Sequence, residues 1–98
     1  MTATVLVVDD DPVQRRLLDA MLKRFGYEVS AVESGDAAVA LLCGEDGERF
    51  DAVVLDLVMP DLDGMGVLAV LRERGVETPV IVQTANGSIE AVVQAMRA

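Results

Sequence analysis

Apolar residues gather in three short unbroken runs, Val5-Leu6-Val7-Val8, Ala52-Val53-Val54-Leu55 and Val80-Ile81-Val82, and between the runs they recur at helical spacing. Unbroken runs bounded by turn signals read as strands buried on both faces, and a helical pattern after each strand makes the connections crossovers and the sheet parallel. The first strand covers about 4–8. Asp11 then caps a helix with Pro12 at its first position, and Val13, Leu17, Leu18, Met21, Leu22 and Phe25 form its apolar face before Gly26 ends it. A second strand is predicted over 27–32, a helix capped by Ser34 runs through Leu42, and 44–48 is a solvated loop. The third strand spans about 51–55, the third helix begins near Met65 and ends at Gly75, and the fourth strand spans 79–82 with Gln83 and Thr84 at its carboxyl end. Asn86-Gly87-Ser88 leads into a predicted fourth helix over 89–98.

This rhythm predicts an α/β fold with a doubly wound parallel sheet. Acidic residues sit where such sheets bind ligands. Asp9, Asp10 and Asp11 follow the first run and Asp56 follows the third. In open sheets of this kind the crevice lies outside the carboxyl ends of the strands where the strand order reverses, so Asp9, Asp10 and Asp56 meet there if the first and third strands are neighbours.

Composition narrows the chemistry. The chain of 98 residues suffices for one small domain, and 52% apolar content with few aromatics suits aliphatic strands between helices. A net charge of -9, from 17 acids and 8 bases, argues against direct nucleic acid binding by this segment. With no histidine, Ser-His-Asp and Cys-His arrangements and histidine metal sites are excluded. Cys43 is the single cysteine, so no disulfide forms within the chain, and it reads as a small apolar residue near a helix end. No apolar run approaches the ~18 residues of a membrane span and no secretory signal pattern opens the chain, so the expectation is a soluble cytoplasmic chain with no membrane partner.

Two carboxylates about 4 Å apart repel by roughly 4 kcal/mol at an effective dielectric near 20. Protonation or a bound cation must relieve a cluster of three. Oxygen ligands alone select Mg²⁺, with Mn²⁺ or Ca²⁺ able to substitute, and Mg²⁺ sites are commonly completed by phosphate oxygens. A carboxylate beside such a cation can attack phosphorus and form an aspartyl phosphate. Asp56 is the best placed attacker, because Asp9 and Asp10 are adjacent and Asp11 serves as a helix cap. The Thr84 hydroxyl at the next strand end can hydrogen-bond a phosphoryl oxygen, and backbone N–H groups at Val58 and Ala85 can add to that cradle. Bland readings stand beside these: a charged helix cap for Asp9-Asp10-Asp11, a turn residue for Asp56, a strand-end polar residue for Thr84. Asp61-Leu62-Asp63-Gly64 hints at a calcium loop, but Arg72 occupies the position of its bidentate glutamate, so a helix-opening turn is favoured.

The segments Leu6-Val7-Val8-Asp9-Asp10-Asp11, Leu55-Asp56-Leu57-Val58-Met59-Pro60-Asp61-Leu62-Asp63-Gly64 and Val80-Ile81-Val82-Gln83-Thr84-Ala85 together resemble the receiver domain of bacterial two-component response regulators, over nearly the whole chain. The resemblance implies a flavodoxin-like fold with strands in the order 2-1-3-4. It also implies phosphorylation of Asp56 by a sensor histidine kinase, Mg²⁺ held by Asp9, Asp10, Asp56 and the Val58 carbonyl, and Thr84 binding the phosphoryl group and shifting on activation. The stretch from Thr84 to Glu90 resembles receivers of sigma-54-dependent activators, which would place an output domain downstream. Family members carry a fifth strand ending in a lysine, an aromatic switch residue and a final helix, and this sequence stops before all three. The expectation is therefore a C-terminally incomplete receiver over 1–98 lacking the fifth βα unit. Lys23, the sole lysine, lies on the first helix and is no substitute.

The main reading is a switch and not an enzyme: an Mg²⁺-dependent phosphoacceptor that changes its contacts with a downstream output domain or partner protein. The missing lysine supports an alternative, an interaction module that works without phosphorylation. An aspartate-nucleophile phosphatase of the haloacid dehalogenase type is disfavoured because Val58 stands where that family has a second acid. An open edge on the fourth strand and a bare apolar face near the first helix further predict self-association, with a homodimer as its simplest form.

Overall fold

Alternation along the central strands decides how the layers assemble. In a computed structural model, which describes residues 2–45, 47–56, 64–83 and 89–91, the chain forms β1 (Thr4–Val8), α1 (Pro12–Arg24), β2 (Glu28–Val32), α2 (Gly35–Leu42), a 3₁₀ turn (Gly47–Arg49), β3 (Ala52–Asp56), α3 (Gly64–Glu73), β4 (Val80–Gln83) and β5 (Ile89–Ala91). The sheet order is β2-β1-β3-β4-β5, with the first four strands parallel. Successive strand side chains point to opposite faces. Leu6, Val8, Val53 and Leu55 therefore pack under α2 and α3. Val5, Val7 and Val54 pack with Leu18 of α1 on the other face. Both faces are covered, which is why these strands read as unbroken apolar runs.

Local signals set the helix ends. The Asp11 carboxylate accepts a hydrogen bond from the Val13 N–H at 2.9 Å, and the Ser34 hydroxyl accepts one from the Ala37 N–H at 3.1 Å. Gly26 and Gly75 follow α1 and α3 with φ of 93° and 76°, a left-handed conformation in which a side chain would be strained. Cys43 caps α2 and packs half-buried against the larger core cluster, as a small apolar residue there should.

Three expectations need correction. The predicted loop at 44–48 contains the start of a 3₁₀ turn, Gly47–Arg49. Residues 89–91 are not helical: Ile89–Ala91 forms a strand antiparallel to β4, with Gln83 opposite Ile89. The outer edge of β4 carries backbone groups that need partners, and pairing with 89–91 satisfies part of that edge, so tertiary demand overrides the helical pattern. The rest of the predicted helix, 92–98, lies outside the described residues. The third correction concerns α1. Leu18 is buried and Leu22 partly so, whereas Val13, Leu17, Met21 and Phe25 are exposed, Phe25 at 73%. Its apolar arc is wider than the sheet can cover; the 13-17-21-25 row turns outward while the row of Leu18 and Leu22 faces β1 and β2.

These placements predict unequal effects of equal truncations. Leu71→Ala, at a fully buried position of α3, should cost about 2–5 kcal/mol of unfolding free energy. Leu17→Ala should stay within about 0.5 kcal/mol of wild type in dilute solution, where its side chain meets solvent. Urea unfolding of both variants distinguishes this packing from one that buries the whole apolar arc of α1.

Candidate functional site

The parallel pairing of β1 with β3 sets Val8 opposite Leu55. The next residues along the two strands are Asp9 and Asp56, which therefore emerge side by side at the carboxyl end of the sheet. The strand order reverses between these two strands, since β1 leads outward to β2 while β3 lies on its other side. Asp10 follows Asp9 into the connection to α1. One carboxylate oxygen from each of Asp9, Asp10 and Asp56 lies within 4.8 Å of the other two. Asp9 is buried at 2% exposure, Asp56 is half-buried and Asp10 is exposed.

The loop is held by hydrogen bonds around Asp9. Its N–H donates to the Val32 carbonyl at 3.2 Å, and its Oδ1 accepts from the Asp11 N–H at 2.9 Å. Its carbonyl accepts from Nη1 of Arg15 at 2.9 Å, and the Arg15 N–H donates to the Asp11 carbonyl at 2.9 Å, opening the ladder of α1. Burial raises the Asp9 carboxyl above its ordinary range; the hydrogen bond from Asp11 opposes the rise, while the negative charges of Asp56, Asp10 and Asp11 add to it.

At 4.8 Å, the upper limit of these separations, a carboxylate pair repels by roughly 3.5 kcal/mol at an effective dielectric near 20, and by less where exposed Asp10 is screened by solvent. An all-oxygen cluster of this kind can hold a hard divalent cation, with water and substrate oxygens completing the shell. Val58, Thr84 and Ala85, the other expected members of the site, lie outside the described residues. Gln83, which immediately precedes Thr84 in the sequence, pairs with Asp56 in the β3–β4 register. Lys23 is on α1 and pairs with Asp19 at 3.2 Å.

The family of response regulator receiver domains matches residues 5–98. This chain belongs to that family. The receiver is 44% identical over 85 residues to the transcriptional regulatory protein TcrA of Mycobacterium tuberculosis, covering 87% of this chain and 32% of that protein. It is 39% identical over 97 residues to the response regulator protein FleR of Pseudomonas aeruginosa, covering 99% of this chain and 20% of FleR. The chain thus spans a third or less of these curated relatives. Among solved structures it resembles the receiver domain of sensor histidine kinase PA1611 from Pseudomonas aeruginosa, solved with magnesium coordinated in the active-site cleft: 33% identity, TM-score 0.79, 88% of this chain and 70% of that one. It also resembles TrrA from Thermotoga maritima in complex with Mg²⁺-BeF, with 34% identity, TM-score 0.75, and coverage of 86% and 70%. The flavodoxin-like α/β architecture expected from the sequence is the fold of this receiver.

Sequence reasoning missed Arg15. The signal was present, because Arg15 shares one helix face with Leu18 and Leu22 at spacings of three and seven residues, and a base on a sheet-facing row calls for an acceptor.

The raised Asp9 carboxyl makes a pH prediction for metal-free receiver. The folded state holds this proton more tightly than the unfolded chain, so the contribution to stability is complete below 3.8, the ordinary aspartate value, and is lost as pH rises to the higher value in the fold. In chelator, Asp9→Asn should be more stable than wild type at pH 7, and its advantage should shrink as pH falls through that window. Thermal melts across pH 3 to 7, roughly the span over which carboxylates titrate, check the sign; equal profiles would show that Asp9 ionises without penalty.

Proposed function

We propose that this chain is the phosphoacceptor receiver of a two-component response regulator, in which Asp56 takes a phosphoryl group from a sensor histidine kinase in a Mg²⁺-dependent reaction. The observation that supports it best is the convergence of the Asp9, Asp10 and Asp56 carboxylate oxygens within 4.8 Å at the topological switch of the sheet. The residues fit a hard cation, being all oxygen donors with a net excess of negative charge. When bound, Mg²⁺ would screen the repulsion between a carboxylate and an incoming phosphoryl group. Asp9, Asp10, Asp56 and the Val58 carbonyl are the assigned ligands.

The Asp56 carboxylate is the nucleophile. Its oxygen forms a bond to phosphorus as the bond from phosphorus to the donor's imidazole nitrogen breaks, and the leaving nitrogen keeps the electron pair. Asp9, anchored through its N–H, carbonyl and Oδ1, holds negative charge at a set position beside the reacting group. The Thr84 hydroxyl and the Val58 and Ala85 backbone N–H groups are assigned to the phosphoryl oxygens. The phosphorylated receiver then acts on an output domain outside 1–98 or on a separate partner protein; among the relatives, TcrA is named a transcriptional regulatory protein. The net charge of -9 argues against a grip on DNA by this segment. No helix among the described residues is long and apolar enough to cross a membrane, and a cytoplasmic location, where the phosphodonor is found, belongs to the same proposal. So does a homodimer over the exposed row of α1, which sedimentation of wild type against Leu17→Glu at rising concentration can test.

Two measurements check the central assignment. After incubation with a small acyl phosphate donor and Mg²⁺, the intact mass should rise by one phosphoryl group. The adduct should be lost at high pH and be absent in chelator and in Asp56→Asn. Phosphate mapped to Ser30, Ser34 or any other residue would overturn the assignment. Independently, Mg²⁺ should stabilise the fold by about 2.7 kcal/mol at a hundredfold excess over its Kd, and Asp10→Asn should reduce that shift at equal Mg²⁺.

A further inference from the structure

We infer that Arg15 is a positioning residue for the metal site, holding the Asp9–Asp10 peptide so that the Asp10 carboxylate faces Asp56. The inference rests on the reading of Asp9, Asp10 and Asp56 as a Mg²⁺ site. Its starting point is the hydrogen bond from Nη1 of Arg15 to the Asp9 carbonyl at 2.9 Å. Asp9 is a buried residue, and its carbonyl, in a part-buried contact, stands where β1 has ended; without a donor such a carbonyl loses hydrogen bonding that solvent replaces only in part. Arg15 supplies the donor from the first turn of α1, six residues along the chain.

The peptide unit turns this bond into a constraint on Asp10. The Asp9 carbonyl and the Asp10 N–H belong to one plane, so fixing the direction of the carbonyl fixes that plane and the bond into the Asp10 Cα. Asp10 is exposed, and little packing can orient its side chain. Its neighbours do so through the backbone, Asp9 by the contact with Arg15 and Asp11 by the hydrogen bond from its N–H to the Asp9 carboxylate. The Arg15 backbone N–H also bonds the Asp11 carbonyl, so one residue ties both ends of the three-aspartate loop to α1.

Charge alone predicts the opposite outcome. A guanidinium near a divalent cation repels it, so removal of a purely electrostatic Arg15 would tighten Mg²⁺ binding. The guanidinium instead donates to the Asp9 carbonyl, and the side chain borders a surface cleft with Ala31, Val32 and Glu33. Groups that orient metal ligands are commonly worth tenfold or more in metal affinity.

Calorimetric Mg²⁺ titration of the full chain at fixed ionic strength tests this with wild type, Arg15→Met, Arg15→Lys and Asp10→Asn. Arg15→Met should weaken Mg²⁺ binding about tenfold. Arg15→Lys, which keeps a charged donor, should stay closer to wild type than to Arg15→Met. The effect of Arg15→Met should largely vanish when Asp10 is already Asn, because the coupling passes through Asp10. A merely structural Arg15 would lower the melting temperature while leaving the Kd of folded protein and this coupling unchanged. Mg²⁺ binding equal to or tighter than wild type in Arg15→Met overturns the role of Arg15 and leaves the metal site standing. Failure of wild type to bind Mg²⁺ overturns both. If Arg15→Met does not fold, Arg15→Gln, neutral and too short to replace the guanidinium, is judged by the same criteria.

Discussion

The parallel register of β1 against β3, with Val8 opposite Leu55, is the constraint on which the rest of the receiver depends. It is set by burial and not by the acids. Leu6, Val8, Val53 and Leu55 must face α2 and α3 while Val5, Val7 and Val54 face α1. A slip of one residue would turn each set to the wrong face and mismatch both cores at once. The same register carries Asp9 and Asp56 out of the sheet together. The geometry of the acidic site is thus protected by the aliphatic core beneath it, and the charges themselves only oppose that arrangement.

The strands and the acidic cluster were legible because strands buried on both faces leave unbroken apolar runs, and their ends can be read to within a residue. Asp11, Ser34, Gly26 and Gly75 were legible as punctuation because each satisfies a local requirement of a helix end. The α1 face was not. Val13, Leu17, Leu18, Met21, Leu22 and Phe25 are all compatible with one helix, but sequence spacing cannot say which row the sheet will accept when the apolar arc is too wide. Residues 89–91 were misread for a related reason: Ile89 suits either element, and the free edge of β4, a non-local feature, decides between them. Arg15 itself was legible as a base on the sheet-facing row of α1, but its partner was not, because a backbone carbonyl as acceptor leaves no trace in the residue alphabet.

Burial makes Asp9 the costliest member of the site. Its N–H, carbonyl and one carboxylate oxygen are all engaged, so the side chain cannot swing into solvent without breaking its bond from the Asp11 N–H, and the backbone cannot carry it there without breaking the bonds to Val32 and Arg15. The repulsion from Asp10 and Asp56 is consequently relieved by a proton or by a cation. At neutral pH a cation is the cheaper remedy, because ionised carboxylates attract it without requiring an acidic medium. Preorganisation and cation demand are therefore two aspects of one arrangement: the bonds that hold Asp9 in place are the ones that prevent it from escaping its neighbours.

Asp56 differs from Asp9 in where its strand leads. It is the last residue of β3, and its register partner Gln83 is the last of β4. A phosphoryl group on Asp56 would carry about -1.5 to -2 charges in place of the single negative charge of the carboxylate, and would bring further hydrogen-bond acceptors to that position. The buried interior of the sheet, packed on both faces, has little freedom to respond. A change of charge at Asp56 thus falls at the carboxyl end of the sheet, above a core packed on both faces and beside an Asp9 already held by its own hydrogen bonds.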